Sequence, residues 1–372
     1  MQPASGRRTF LQTAALLTAA AAAEPLLRSA SAHASSSLRR SSGDLVELHP
    51  ALSDTAFPER NGPRPYRYRG PNLSGASGIA ASHLYPGVFW LTRDGFGTHD
   101  DPVLRGYRSF LYAIRFDAAQ GRLVPWASGV PQTSCGGYLK YVRVLEGGRP
   151  LAWGDIEDLA LWPGAPGAPG TLYLGGIGNN ANAAVPGRVH RCPEPDPEHA
   201  TEVGVAATVG FWSQPDHRRR QANCESLFVA DGVPYVVVKS CPGNGDLVSG
   251  EVLRLPTVPG PGGAATDAVR VARLQPAPSV RWGVNSRPNG ADLRDGGLLL
   301  STGTHWLRYQ AAPGLHGDPL VQDLAARSPV EWGWWQRRGE ACGNEAIGWL
   351  PASGSPSFLA VSEAGLVRWW PG

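Results

Sequence analysis

One short pattern recurs five times along the chain, and it restricts the possible folds more than any other feature. In each copy an acidic or small polar residue stands before a short apolar run, and a second β-rich run follows. The copies lie at 77–80, 153–161, 224–228, 289–293 and 344–347, and the second runs at 88–92, 171–174, 235–238, 298–301 and 358–361. Repeated short strands of this kind are typical of equivalent structural units and predict the blades of a β-propeller.

The spacing of these units predicts the number of blades. Their apolar anchors are Ile79, Leu159, Leu227, Leu293 and Ile347. We therefore count five blades, and the long first interval leaves room for a sixth. Residues 139–145 either extend the first blade or belong to that sixth one. The whole chain has 47 Gly and 34 Pro, and after residue 35 short β-rich runs between such residues dominate, which predicts an all-β fold.

Each complete blade of a propeller has four strands. The first blade is predicted at 78–81, 88–92, 110–116 and 123–126, and the outer part of the second at 203–211. The fourth blade is predicted to start at Asp292, and its outer strand is undefined. The last blade lacks one strand, and residues 45–48 are expected to supply it. Such ring closure removes an exposed sheet edge.

The first 34 residues have the order of elements found in a twin-arginine export signal. Arg7 and Arg8 precede an Ala-rich apolar core at 14–23, and Ala32-His33-Ala34 forms a cleavage site. The core is shorter than the ~20 residues that a membrane-spanning helix needs. We therefore predict a signal peptide at 1–34, a flexible leader at 35–45 and a propeller domain at 46–372. The protein is expected to be secreted or located in the cell envelope.

Charge and cysteine content exclude several classes of partner and cofactor. The formal net charge is only +3 at pH 7, so neither nucleic acid nor an acidic membrane is predicted as a partner. No later apolar run reaches the length of a membrane helix. The five cysteines include no C-x-x-C pair, which argues against a structural zinc site, and their pairing stays open. We expect a monomer.

Several phrases resemble a family of exported β-propellers found in high-GC bacteria. They are Ile156-Glu157-Asp158-Leu159-Ala160 and residues 172–180, 191–195, 236–240 and 290–293. More loosely, the chain is similar to phytase-like (esterase-like) propellers and to the gluconolactonase/paraoxonase type. The resemblance implies a site of acids and amides around a central metal, usually calcium. The chain departs from the family pattern at Gly176 and Asn179, where acids are expected, and at Ser77, which has no carboxylate.

Propeller geometry predicts that polar residues from different repeats meet at one mouth of the central channel. The first strand of each blade lines the channel, and the second runs antiparallel to it, so its end lies near the start of the first. The predicted first-strand starts carry Glu157, Asp158, Glu225, Asp292 and Glu345, and the predicted second-strand ends carry Asp94, Asn179, Asn180, Lys239, His305 and Glu363.

Carboxylates that meet in one mouth repel each other unless protons, a cation or ion pairs relieve the repulsion. Carboxylate and amide oxygens are the ligands that calcium prefers. The predicted metal ligands are Glu157, Asp158, Glu225, Asp292, Glu345 and Asn180, with Asn223, Asn289 and Asn344 as further amide candidates. The alternative is that each acid caps a turn or pairs with an arginine and has only a structural role.

The candidate catalytic residues are His305, as a general base with a pKa near neutrality, and Glu157. Asp94, Lys239 and Glu363 are candidate binding residues. For Lys239 the alternative is an ion pair with Glu225. The loop at 94–101 is either a metal or sugar site or a solvated surface loop. The 13 Trp either stack on ligands or pack between blades.

Three functions are compatible with these features. The first is a calcium-dependent hydrolase of esters, lactones or phosphoesters. The second is a propeller that binds a small molecule, a glycan or a peptide without catalysis. The third is a five-bladed glycosidase, which needs carboxylates at defined separations. Neither G-x-S-x-G nor a phosphate-binding glycine loop occurs, which disfavours serine hydrolases and nucleotide enzymes.

Overall fold

A computed structural model describes most of the chain outside the N-terminal region. The described residues are 39–40, 45–48, 73, 75–94, 110–152, 156–179, 184–213, 221–240, 247–278, 280–283, 286–335, 344–351, 356–362 and 365–372. The chain divides into two units, Met1–Arg39 and Arg40–Gly372. The predicted signal peptide lies outside the described residues, as does most of the predicted leader. The blades and the candidate site residues belong to the second unit.

The described part of the chain is almost entirely β-structure. The strands are β1 (Arg39–Arg40), β2 (Val46–Glu47), β3 (Ala76–Ala81), β4 (Val88–Arg93), β5 (Phe110–Asp117), β6 (Arg122–Val124), β7 (Thr133–Ser134), β8 (Leu139–Glu146), β9 (Arg149–Pro150), β10 (Ile156–Trp162), β11 (Thr171–Gly176), β12 (Gly187–Pro193), β13 (Glu202–Gly204), β14 (Ala207–Trp212), β15 (Asn223–Ala230), β16 (Val233–Ser240), β17 (Glu251–Arg254), β18 (Thr266–Asp267), β19 (Val269–Arg273), β20 (Pro288–Arg294), β21 (Gly297–Thr302), β22 (His305–Gln310), β23 (Glu331–Trp334), β24 (Asn344–Trp349), β25 (Phe358–Ser362) and β26 (Val367–Trp370). One α-helix, α1 (Gly317–Ala326), and two 3₁₀ turns, Cys135–Gly137 and Pro261–Gly263, are also described.

The sheets are arranged as a β-propeller. Five sheets are described, and from the channel outward their main strands run β3-β4-β5-β8, β10-β11-β12-β14, β15-β16-β17-β19, β20-β21-β22-β23 and β24-β25-β26-β2. We number these blades one to five. The inner strands contact each other in the cyclic order β3, β10, β15, β20 and β24, and β24 contacts β3 again. The described residues therefore form a closed ring of five blades.

Tight turns join inner and second strands where the sequence has Asp-Gly. Asp231 and Gly232 have φ angles of 51° and 73°, and Asp295 and Gly296 have 49° and 71°. Two consecutive residues with positive φ are the requirement of a type I′ turn, whose twist matches that of the strands it joins. Asp-Gly meets that requirement because glycine has no Cβ and Asp tolerates the left-handed region. These two hairpins place their turns at the mouth where the inner strands end.

The hydrophobic core lies between adjacent blades. Trp90, Leu159 and Leu174 belong to one cluster between blades one and two. Trp306, Phe358 and Trp370 form another between blades four and five, and the rings of Phe358 and Trp370 stack at 5.1 Å. These tryptophans are buried, which agrees with the packing alternative for them. Trp334 differs because it is 49% exposed.

Strand β2 closes the ring as predicted. Val46 pairs with Trp369 and Glu47 with Arg368 in an antiparallel ladder, so β2 completes blade five. In blade one the prediction of an outer strand at 123–126 was wrong. The outer strand is Leu139–Glu146, which pairs with β5, while Arg122–Val124 pairs only with the end of β5. Residues 139–145 therefore extend blade one, as one alternative predicted.

Two further outer elements differ from the prediction. The region predicted as one strand at 203–211 is divided between two blades. Glu202–Gly204 pairs in parallel with β8 of blade one, and Ala207–Trp212 is the outer strand of blade two. In blade four the undefined outer strand is Glu331–Trp334, which follows helix α1. The amphipathic helix was missed because the glycines and prolines around it resemble those of the turns.

Among the described cysteines, Cys192 is a buried free thiol, and burial raises its pKa to about 12. Cys241 and Cys342 lie outside the described residues. Within the described part of the chain, no helix combines the length and hydrophobicity needed to cross a membrane.

Candidate metal centre

The recurring sequence pattern corresponds to a β-bulge in each inner strand. The register between inner and second strands shifts in every blade around one residue of the pattern. The residues at these shifts are Ser77, Glu157, Glu225, Asn289 and Glu345. A bulge leaves one residue without a partner on the neighbouring strand and redirects its side chain. The five bulges thus define one ring of positions near the mouth where the inner strands begin, which we call the acidic mouth.

Small residues after the bulges let the inner strands approach closely. A Cβ atom added to Gly78 would lie 2.5 Å from the backbone nitrogen of Leu159 in the next blade. A Cβ atom on Gly290 would collide with the carbonyl oxygen of Glu345. Only glycine fits at these two contacts. The close approach of the backbones is what narrows the ring and brings side chains from different blades together.

Three of the predicted ligands meet in this ring. Glu157, Glu225 and Glu345 each contribute one carboxylate oxygen to a group whose members all lie within 4.8 Å of one another. Calcium–oxygen bonds measure about 2.3–2.6 Å, so two ligands of one calcium ion can be about 5 Å apart. Glu157 and Glu225 are only 3% and 2% exposed, and Glu345 is half-buried. The three oxygens therefore have the spacing of ligands of one calcium ion, and they would supply three of the about six to eight oxygens that calcium takes.

The ion pair offered as the alternative for Lys239 is also present. Lys239 Nζ donates to Glu225 Oε2, and Asn223 Nδ2 donates to Glu225 Oε1 at 3.0 Å. Burial raises the pKa of Glu225, although Lys239 opposes this. Burial alone lowers the pKa of Lys239, but the charges of Glu225, Glu345 and Glu157 outweigh it, and the net pKa is raised. One ammonium group thus lies within the electrostatic influence of three carboxylates.

Asn223 has a positioning contact that the sequence analysis did not anticipate. Its Oδ1 accepts a hydrogen bond from the Asn179 backbone N–H at 2.6 Å, and Asn179 Nδ2 donates to the Gln221 carbonyl at 2.7 Å. Both polar atoms of the Asn223 amide are therefore hydrogen-bonded, the oxygen to blade two and the nitrogen to Glu225. The spacing of two residues between Asn223 and Glu225 was the sequence feature from which this contact could have been predicted. Asp94 also belongs to this region, since its charge raises the pKa of Glu225.

Asp158 does not join the three glutamates. Its Oδ1 accepts the Leu159 N–H at 2.8 Å, and its Oδ2 accepts the N–H groups of Leu227 at 2.7 Å and Ala291 at 3.0 Å. The carboxylate is 1% exposed and connects blades two, three and four across the channel. Burial raises its pKa well above the usual value, and the three N–H donors oppose that shift. The structure thus places Asp158 outside the group of three glutamates, and its carboxylate instead bonds the backbones of three blades.

Asp292 is also displaced from the predicted position. The bulge of blade four lies at Asn289, so the start of the strand precedes the predicted start at Asp292 by several residues. Asp292 sits further along β20, where its Oδ2 accepts the Trp349 N–H at 2.8 Å. Burial raises its pKa to about 6, against the opposing charge of Arg294. The prediction failed here because it matched Leu293 to the anchor leucines, whereas the bulges show that Ala291 is equivalent.

His305 begins the third strand of blade four rather than ending the second. Its ring lies 3.8 Å from that of Trp334 and 5.8 Å from that of Trp332, and its Nδ1 is 2.7 Å from Thr304 Oγ1. Burial lowers its pKa to about 4, so the imidazole is neutral at pH 7. The structure does not bring His305 into the carboxylate group. The prediction of its strand position was wrong because the β21–β22 turn is tighter than the sequence indicated.

The remaining candidates lie outside the described residues. They are Asn180, Glu363 and the loop after Asp94. Asn344 lies in β24 directly before Glu345, at the strand start that the sequence predicted.

No family model and no curated protein matches the chain. Among solved structures, it is similar to Raptor from Chaetomium thermophilum, with 9% identity and a TM-score of 0.35 over 81% of this chain and 20% of that one. It is also similar to the allergen Mala s 1 of Malassezia sympodialis, with 9% identity and a TM-score of 0.36 over 77% of this chain and 75% of the allergen. An exo-β-1,3-galactanase of Clostridium thermocellum is similar with 13% identity and a TM-score of 0.36, over 79% of this chain and 57% of the galactanase. At this level, the similarities carry no inference about activity.

Proposed function

We propose that the acidic mouth binds a divalent cation, calcium in the first place, and that the protein is an exported hydrolase of esters, lactones or phosphoesters. The observation that carries the proposal is the convergence of Glu157, Glu225 and Glu345 from three blades within 4.8 Å. Three carboxylates so close and so buried need a compensating charge. Lys239 bonds Glu225, and a divalent ion held by the three carboxylates would add further positive charge to the same group.

In this proposal the three glutamates hold the ion, and Asn223 keeps Glu225 in the orientation that binding requires. A bound cation supplies a Lewis acid for the scissile group and a more acidic water molecule. We assign the general base to Glu157, whose second carboxylate oxygen would act while the first holds the ion, since each glutamate offers one oxygen to the group. His305 is left out of this role because its contacts are with Thr304 and two tryptophans. Export is inferred from the arrangement around Arg7 and Arg8.

Calcium titration tests the metal site. A ligand at about one hundred times its Kd stabilises the native state by roughly 2.7 kcal/mol. For a domain of this size the entropy of unfolding is roughly 0.7 kcal/mol per kelvin, so we expect Tm to rise by about 4 °C. The rise should disappear in Glu157→Gln and Glu345→Gln and persist in Glu198→Gln, which changes an exposed glutamate elsewhere. An unchanged Tm in calcium, with no calorimetric binding signal, would exclude the site.

Turnover tests the hydrolase. A panel of lactones, carboxylic esters and phosphoesters should show at least one substrate whose hydrolysis needs calcium and is lost in Glu157→Gln. Calcium binding without turnover of any panel member would retain the metal site and remove the catalytic role.

The second candidate is a propeller that binds a ligand without catalysis. The specific observation in its favour is the ion pair between Lys239 and Glu225, which compensates part of the charge without any ion. This candidate predicts neither a calcium-dependent Tm nor turnover. The glycosidase alternative stays a prediction, to be tested on the same samples with aryl glycosides.

A further inference from the structure

The second mouth of the channel contains a cavity that the proposed function does not use. Its volume is about 940 Å³, within the range of small-molecule sites. It lies where the inner strands end, beyond the Asp158 carboxylate that crosses the channel. Residues from the inner strands of several blades line it, and the loop before helix α1 forms part of its wall. The cavity is therefore separate from the acidic mouth.

The walls of this cavity are largely apolar. Leu161, Val229, Leu293 and Leu315 line it, and Trp162 adds an aromatic surface. Trp162 and Leu161 are only half-buried. Partly exposed leucine and tryptophan side chains around a concave surface favour the apolar part of a ligand.

The charged groups of the cavity are unequal in sign. Among the described residues that line it, Asp231, Asp292 and Asp295 are acidic, Arg294 is the one arginine, and none is a lysine. The positive charge of Arg294 acts on Asp292. Asp231 Oδ1 lies 3.4 Å from His316 Nδ1, a contact that becomes an ion pair only when the histidine is protonated. Among the described residues that line the cavity, no arginine or lysine pairs with Asp231 or Asp295 at the two hairpin turns.

We propose that this cavity binds an organic cation with an apolar body, an amine or guanidinium compound whose charged end lies between Asp231 and Asp295. The apolar walls would hold the body, and the ring face of Trp162 would attract the charged end. Asp231 and Asp295 are exposed at the rim of the cavity, and carboxylates beside a cleft with apolar walls concentrate cationic ligands there. An anionic ligand would meet two uncompensated carboxylates, and a neutral ligand would gain only the apolar contact.

Calorimetric titration with three matched probes tests the proposal. The probes are 4-phenylbutylamine, 4-phenylbutanol and 4-phenylbutyrate, which share the apolar body and differ in charge. We expect the order amine, alcohol, carboxylate in affinity. Asp231→Asn and Asp295→Asn should each weaken amine binding by about twofold to fivefold and together by about tenfold, with little effect on the alcohol. Asparagine is suited to both positions because it tolerates positive φ as Asp does.

Two controls keep the test specific. Asp267→Asn makes the same charge change on exposed strand β18 and should leave amine binding unchanged. The double variant should keep the calcium response of the wild type, so the two proposed sites can fail independently. Equal binding of all three probes, binding of none of them, or unchanged amine affinity in the double variant would each overturn the proposal.

Discussion

The substitution Lys239→Met gives the sharpest test of whether the acidic mouth is a metal site or an ion-pair network. It removes the ammonium group that bonds Glu225 and keeps a side chain of similar length. Breaking a buried ion pair costs about 3–5 kcal/mol, because one charge stays buried without its partner. Glu225 is 2% exposed in its side chain but Lys239 is 25% exposed, so we expect the lower end, about 3 kcal/mol.

This loss translates into a measurable change in Tm. With an unfolding entropy of roughly 0.7 kcal/mol per kelvin, about 3 kcal/mol lowers Tm by about 4 °C in calcium-free buffer. Calcium at one hundred times its Kd would restore about 2.7 kcal/mol, which nearly cancels the loss. In the wild type the ion must share Glu225 with the ammonium group. The rise of Tm with calcium should therefore be larger in Lys239→Met than in the wild type.

Differential scanning calorimetry with chelator and with calcium measures both quantities. Lys140→Met is the matched control, since Lys140 is the other lysine of the chain, is buried and donates to the Pro131 carbonyl. Its loss of stability should be the same with and without calcium. If Lys239→Met also loses the same stability in both buffers, the three glutamates and Lys239 form an ion-pair network, and the metal proposal fails.

Two further substitutions test the carboxylates that the structure removes from the metal set. Asp158→Asn should lower the free energy of unfolding by about 1–3 kcal/mol in urea titrations, because an amide cannot accept all three N–H groups, and this loss outweighs the relief of removing a buried carboxyl with a raised pKa. The variant should keep the calcium response. An unchanged stability would contradict the role inferred from those bonds. Asp292→Asn should instead stabilise the protein near neutral pH. The folded pKa of about 6 lies above the ordinary 3.8, so stability falls as pH rises from about 4 to above 6. The pKa difference sets an upper limit of about 3 kcal/mol on this stabilisation. Because Asp292 is partly exposed, we expect a gain of about 1–2 kcal/mol. The stabilisation by Asp292→Asn should vanish at pH 4. Equal stabilisation at pH 4 and near neutral pH would refute the role inferred for the Asp292 charge.

The sequence predicted the architecture well because its evidence was repeated. Five copies of one pattern predicted the propeller, and the strand at 45–48 was expected to close it. The meeting of Glu157, Glu225 and Glu345 also agrees with the repeat, since circular symmetry places equivalent positions at one mouth. At the Asp-Gly turns, which the sequence analysis did not use, the backbone φ values alone restrict the residues allowed.

Strand register was decided only by the tertiary structure. The inner strand β20 has buried residues on both faces at its start, so alternation of polar and apolar side chains did not reveal the bulge at Asn289. Local sequence patterns also could not predict the hydrogen bonds of Asp158, because its three donors belong to three different blades. A sequence shows which side chains carry charge, but the contacts between blades decide whether a carboxylate is left for a ligand or is occupied by backbone N–H groups.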